Sequence, residues 1–151
     1  MFPNAKRVLH AFSGGLTLDA ATEQAPGAEK IVLVDSQGPD QGRHPTYQGD
    51  IIEYCACSCE RFDLIIADPP YSTADAERYG VKMPNRGRVT AALRIVAAPS
   101  ATLVWLDQVW PMHRRSDWSC YGHIALVRST NHRVRLVSLF EAALKGGDLL
   151  E

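Results

Sequence analysis

Apolar residues in this chain come in short runs, each stopped by a turn signal, and the runs alternate between strand-like and helix-like spacing. KRVLHAF (residues 6–12) is strand-like and halts at Ser13-Gly14-Gly15. LDAATEQA (18–25) has helical composition and ends before Pro26-Gly27, which cannot continue it. KIVLVDS (30–36) is a β-branched run bounded by Gly38-Pro39, and the polar, turn-rich stretch 37–47 reads as loop. A brief strand at 47–49 precedes a short helix at 51–60, and FDLIIAD (62–68) is the next strand. Ser72 heads S-T-A-D, a capping-box-like helix start with Asp75 in the place of the usual Glu or Gln. A longer helix is predicted over 85–98, ended by Pro99, followed by a strand at 101–107. After an irregular or helical piece at 111–117, residues 121–129 and 133–143 read as two strands. The turn at 129–132 is so short that this last pair must be antiparallel.

Strands alternating with helices predict an α/β fold: a doubly wound, mostly parallel, seven-stranded sheet, closed by a C-terminal antiparallel hairpin. Ligands of such sheets sit outside the carboxyl ends of the strands, where the strand order reverses. Three strand ends are unusual, and all would meet at that edge: Phe12-Ser13-Gly14-Gly15, Asp35, and Asp68-Pro69-Pro70-Tyr71.

Composition narrows the picture without changing it. At 151 residues the chain is expected to form a single domain, 1–151, with no separate target-recognition domain. No stretch has the apolar length of a membrane span or a secretory signal, so a cytoplasmic protein without a membrane partner is expected. The net charge of −1 means that a nucleic-acid partner would need a local basic patch. Three of the four cysteines stand at every second position (Cys55, Cys57, Cys59), with Cys120 apart. That spacing lacks the paired clusters of a metal site, so reduced thiols and no metal are expected.

The glycine-bearing turn HAFSGGLT (10–17) joins a strand to a helix, where glycines let the backbone approach a ligand. Alone, such a turn is more often a tight strand-to-helix turn with no ligand. Asp35, about twenty residues on at the end of the second strand, has the spacing of an acid that binds ribose hydroxyls; its bland role is a cap. Asp50, after the third strand, stands where a carboxylate meets an adenine amino group. The full G-x-G-x-x-G fingerprint is absent, which disfavours a pyrophosphate ligand and favours a nucleoside without phosphates.

In Asp68-Pro69-Pro70-Tyr71, the two prolines stiffen the main chain and leave its carbonyls free as acceptors. Asp68 adds a carboxylate and Tyr71 a ring for stacking. Acceptors beside a ring suit a planar substrate bearing –NH₂. Such an amine is a poor nucleophile, and hydrogen bonds from its N–H groups to fixed acceptors stabilise the positive charge that grows on nitrogen during attack. A rigid capped loop is the alternative reading of the tetrapeptide.

The order glycine turn, acid, acid, D-P-P-Y resembles the class I S-adenosylmethionine-dependent methyltransferases of the amino-methylating type. The resemblance spans nearly the whole chain and implies a Rossmann-like methyltransferase fold with S-adenosyl-L-methionine as cofactor. It implies that His10, Phe12, Ser13, Gly14 and Gly15 line the cofactor, with the three turn residues along its methionine part. Asp35 would hold the ribose and Asp50 meet the adenine. Asp68 and the Pro69 carbonyl would bind the target amine next to Pro70, with Tyr71 stacked on the base. The aspartate form suits adenine N6 in DNA or RNA; guanine N2 of ribosomal RNA is the alternative. The chain departs from the pattern at His10, where the family has an acid, and at Phe12-Ser13-Gly14-Gly15-Leu16, where F-x-G-x-G is expected. These departures prompt a second reading, a weakly active or non-catalytic cofactor-binding module; an enzyme for a small-molecule or protein amine is a third.

Asp107, Asn131 and His132 are candidates for the substrate wall, though turn residues of this kind more often simply make the turn. Arg86 and Arg88, with Lys82, Arg114, Arg115, Arg128, Arg133 and Arg135, are candidates for a phosphate-binding patch on DNA or RNA. A chain this small has few parts with which to flip a base from a duplex. Exposed bases, or a protein partner that supplies target recognition, are therefore expected.

Overall fold

A computed structural model describes residues 4–127 and 134–144. The elements run β1 (Arg7–Ala11), α1 (Leu18–Gln24), β2 (Lys30–Asp35), a 3₁₀ turn (Pro39–Gln41), β3 (Tyr47–Gln48), α2 (Ile51–Cys57), β4 (Phe62–Ala67), α3 (Thr73–Tyr79), α4 (Arg86–Ile95), β5 (Ala97–Asp107), β6 (Trp118–Val127) and β7 (Val134–Ala142). One seven-stranded sheet has the order β3-β2-β1-β4-β5-β7-β6. The first five strands in that order pair in parallel, and β7 joins β5 and β6 antiparallel. The expected doubly wound sheet and closing antiparallel pair are therefore present. The residues of the turn between β6 and β7, including Asn131 and His132, lie outside the described residues.

The central strands are apolar on both faces because both are covered. One face carries Leu9, Ala11, Ile65, Leu103 and Trp105, packed beneath α2 and α4 through Tyr54, Cys55, Val89 and Leu93. The opposite face is thinner, with Val8, Leu64 and Val104 against Ala25, Ala28 and Ile31 near α1. No helix among the described residues is long and apolar enough to cross a membrane.

The boundaries differ from expectation around Pro99, at the end of α2, and at β6, which starts at Trp118 rather than at 121. Helix α4 stops at Ile95, three residues before the predicted end, and β5 starts at Ala97 rather than at 101. Pro99 breaks neither element; it sits exposed in a bulge of β5. Between the pairs Phe62↔Ala97 and Leu64↔Thr102, β4 advances two residues and β5 five, and Ser100 takes φ 56°. A bulge accepts a residue without an N–H, which is why proline is tolerated inside this strand. Helix α2 ends at Cys57 because the Ser58 hydroxyl accepts from the Glu60 amide and turns the chain outward.

Strand alternation places His10 on the Val8 face, between Leu33 and Ile66. His10 is buried, and burial lowers its pKa to about 4. The folded state thus binds its proton more weakly than the unfolded chain does, whose histidine titrates near 6.5. The neutral ring contributes stability in full above pH 6.5. That contribution is lost as pH falls from 6.5 to about 4, and the loss amounts to about 3 kcal/mol in all. Chemical denaturation of His10→Leu across this range should show a flatter acid limb than the wild type.

Candidate active site

The strand order reverses between β1 and β4, and two sharp turns leave the sheet side by side there. In the first, Phe12 and Gly14 both take left-handed angles, φ 61° and 58°. That conformation is easy for glycine and strained for an aromatic residue. The Ser13 amide donates to the Val34 carbonyl at 3.0 Å, which lashes the turn to β2. Asp35 ends β2 and completes the lashing: Oδ2 accepts from the Gly14 amide at 2.8 Å and Oδ1 from the Gln37 amide at 2.9 Å. Each carboxylate oxygen retains a lone pair for a ligand. The Gly49 amide donates to the Asp35 carbonyl at 2.8 Å and sets Asp50 as N-cap of α2, with Oδ1 accepting from Ile52 and Glu53.

Beside these residues lies a cavity of about 830 Å³, walled by Phe12, Asp35, Asp50, Ile51 and Pro70. Lys82, Met83 and Arg88 close the far side. Its size is that of a small-molecule site. The cavity opens on the Val34 face of the sheet, so His10, on the opposite face, stands behind the turn and lines no part of it. Two buried polar atoms at the turn have no partner, Ser13 Oγ and Arg43 Nε.

The second turn begins where the Asp68 amide donates to the Ala11 carbonyl at 3.3 Å. The Tyr71 hydroxyl donates to Asp68 Oδ1 at 2.5 Å. Asp68 is exposed in area, yet protein atoms crowd around its carboxyl. This desolvation raises its pKa, against the Tyr71 hydrogen bond and the Arg135 charge, which lower it. Burial, with the bond to Asp68 next, pushes the Tyr71 phenol well above its ordinary range, so it stays a donor at neutral pH. The Arg135 guanidinium of β7 lies over the Tyr71 ring, 4.5 Å from its centroid.

Asp107 and Arg86, read from the sequence as substrate contacts, are given to each other. Arg86 Nε donates to Asp107 Oδ2 at 2.5 Å and Nη2 to Oδ1 at 3.0 Å. The same Nη2 donates to the Tyr71 carbonyl at 3.0 Å, so the pair braces the second turn from behind. Asp107 is fully buried and also accepts from Trp105 Nε1 and the Gln108 amide. Arg88 stays at the cavity wall.

Sequence reasoning missed Arg43, a lone arginine in a polar loop, and it read Arg135 only as one of many basic residues. The Arg135 position was legible in part, since alternate residues of a strand next to β5 must face one side. Cys55 is buried, and desolvation pushes its thiol up to about 12; Cys57 and Cys59 are exposed. Among the described residues no group of three or more His, Cys, Asp or Glu is arranged to hold a metal.

No family model and no curated protein matches the chain. Solved structures do. TrmN from Thermus thermophilus aligns with TM-score 0.62 at 13% identity over 91% of this chain, which spans only 44% of that protein. The N-methyltransferase NodS from Bradyrhizobium japonicum, in complex with S-adenosyl-L-homocysteine, aligns with TM-score 0.63 at 13% identity, covering 91% of this chain and 78% of that one. An rRNA methylase from Streptococcus thermophilus aligns with TM-score 0.58 at 11% identity, covering 92% and 87%. The chain shares its Rossmann-like fold with methyltransferases.

Removing one partner of the buried Arg86–Asp107 pair leaves an uncompensated charge. Arg86→Ala should therefore destabilise the protein by about 3 kcal/mol in urea denaturation, whereas Arg88→Ala at the cavity wall should change stability by less than about 0.5 kcal/mol.

Proposed function

We propose that the protein is an S-adenosylmethionine-dependent methyltransferase that modifies an exocyclic amine of a nucleobase, adenine N6 of DNA or RNA above all. The observation that carries this reading is the adjacency of the two turns, linked by the Asp68 amide and the Ala11 carbonyl at 3.3 Å. A nucleoside pocket and an acceptor-rich corner then share one crevice.

The residues present fit the cofactor. Asp35 lines the cavity with acceptor capacity left beyond its two amide partners, Ser13 has an unpartnered hydroxyl at the turn, and the cavity volume suits a nucleoside. When bound, S-adenosylmethionine supplies an electrophilic methyl group on a sulfonium. The chain's own contribution is to the amine. Asp68 and the Pro69 carbonyl accept its N–H bonds, and neither Pro69 nor Pro70 offers a competing donor. Positive charge growing on nitrogen is met by the Asp68 carboxylate, which can then take the released proton because its pKa is raised. Tyr71 keeps Asp68 oriented through its hydroxyl.

Lys82 and Arg88 at the cavity wall, with Arg135 over Tyr71, support a polyanionic substrate. The shared fold with an rRNA methylase keeps RNA, and guanine N2, as the alternative target. A protein partner that supplies target recognition belongs to the same proposal, as do a single domain and a cytoplasmic setting.

The roles separate by mutation. Asp68→Ala should lower methyl transfer at least about 100-fold while calorimetry shows unchanged cofactor affinity. Asp35→Ala should weaken cofactor binding first, by roughly tenfold. Equal loss of affinity in both variants would contradict the assignment. Mass analysis of nucleosides from cells with and without the protein would identify the methylated base. The pH profile supplies a further check. Protonation removes the Asp68 acceptor, and its raised pKa means that kcat/KM should begin to fall at a higher pH than for an unperturbed aspartate. Asp68→Asn, which cannot titrate, should lose this acid limb.

A further inference from the structure

We infer that the loop after β5 is a stacking platform for single-stranded nucleic acid, with Trp110 as the ring that takes a base flanking the target. The inference rests on the methyl-transfer reading above and names the form of its substrate, an unpaired strand rather than a duplex or a free nucleoside.

The chain has three tryptophans, used in two ways. Trp105 and Trp118 are buried, and their indole N–H groups donate to Asp107 Oδ2 at 3.2 Å and to the Thr90 carbonyl at 2.9 Å. Trp110 is 54% exposed, flanked by Val109 at 49% and Met112 at 76%. The loop that carries them is pinned from below. Pro111 is buried, the Thr90 hydroxyl of α4 donates to the Met112 carbonyl at 2.9 Å, and the Arg114 carbonyl accepts from the Asp117 and Trp118 amides. The Trp110 ring meets the His123 ring of β6 in a T-shaped contact, 4.4 Å between centroids. Exposed apolar groups gathered on one loop mark an interaction site, and a ring already held in place loses little entropy when a partner arrives.

Charge selects the partner. Arg114 and Arg115 follow in the same loop. A Cβ placed on Gly87 would touch the Met112 Cβ at 3.6 Å, so the loop lies against the first turn of α4, beside Arg88. All three arginines are exposed, and the ion pairs found among the described residues engage Lys6, Arg7, Lys30 and Arg86 instead. An aromatic ring among such guanidinium groups suits a single strand, whose bases stack while its phosphates meet the cations. An apolar protein face gives these cations no acceptor, and a duplex keeps its base faces inside the stack.

Position ties the platform to the crevice. Trp110 follows Asp107 by three residues, so their Cα atoms stand at most about 11 Å apart. Asp107 is joined through Arg86 to the Tyr71 carbonyl. A strand whose target amine meets Asp68 therefore needs only a few further nucleotides to reach Trp110.

The probe is a single-stranded oligoadenylate, as RNA and as DNA, titrated calorimetrically beside the same strand in a duplex. Wild type should prefer the single strand, and binding should quench tryptophan emission, a change that only the exposed Trp110 is placed to supply. Trp110→Ala should weaken strand binding roughly 5- to 150-fold while S-adenosylhomocysteine affinity stays the same. Trp110→Phe keeps a ring and should fall between, and it carries the test if alanine disturbs the loop. Replacing Arg114 and Arg115 together by Gln should lower the slope of log affinity against log salt by about 1.4. Unchanged strand affinity in Trp110→Ala, or a duplex bound as tightly as the strand, would overturn the platform and leave the methyl-transfer reading standing. If wild type binds S-adenosylhomocysteine but neither strand, the nucleic-acid substrate falls, and the platform with it. Sedimentation showing a wild-type dimer that Trp110→Asp makes monomeric would assign the patch to a second copy of the chain instead.

Discussion

Ala11 and Ala67 stand opposite each other at the ends of β1 and β4, and each chain turns sharply at the next residue. Both side chains are buried, and both are small. Parallel pairing sends the two strands out of the sheet in the same direction, and the reversal of strand order on either side keeps their connecting helices apart. The glycine turn and the proline turn therefore emerge within one hydrogen bond of each other. Neither can drift. Phe12 is held at φ 61° by the amide bonds of Ser13 and Gly14 to β2, and Pro69 and Pro70 have their own φ fixed by their rings. Strain of this kind persists only where its surroundings over-determine it.

Three carboxylates gather along this edge, and their partners separate their roles. Asp107 accepts from Arg86 at both oxygens, from the Trp105 indole and from the Gln108 amide, all without exposure. It is saturated, and its work is mechanical: through Arg86 it grips the Tyr71 carbonyl. Asp35 holds two amides, which orient it without exhausting it. Asp68 accepts from the Tyr71 hydroxyl at one oxygen, and it is crowded enough that its charged form is disfavoured. The least satisfied of the three is also the one whose titration is perturbed, and a perturbed carboxylate is the most informative kind.

Much of this was legible in the chain because turn signals and β-branched runs report on backbone geometry, which is local. The seven strands, the glycine turn and the rigid corner after β4 all follow from such signals. What failed to show was non-local. Arg86 and Asp107 are 21 residues apart, and each alone looks like a solvent-facing charge at an element end. Only the pairing of β4 with β5 brings Asp107 beneath the α4 start. Pro99 misled for a related reason: a proline after a helical run signals a helix end, but here the helix had already closed and the proline served a bulge. His10, at a position where an acid was expected, faces the side of β1 away from the cavity, and nothing in its neighbours' identity announces that.

Arg135 on the Tyr71 ring bears on how a base would enter. A guanidinium over an aromatic face is worth about 0.5–1 kcal/mol when exposed and about 2 when desolvated. A base stacked on the same face is worth about 1–3 kcal/mol. These are close enough that the ring need not be vacant to be usable, since exchange of one for the other costs little. The displaced guanidinium does not lose its partner altogether, because a nucleotide brings a phosphate with it, and a charge-assisted bond to phosphate is at least as strong as the stack it replaces. Under the proposed function Arg135 would be a placeholder, covering the Tyr71 face until a base stacks there and then pairing with the substrate backbone. On that proposal the cation over the stacking ring would favour a nucleotide over a free amine, because only the nucleotide carries a phosphate to receive it.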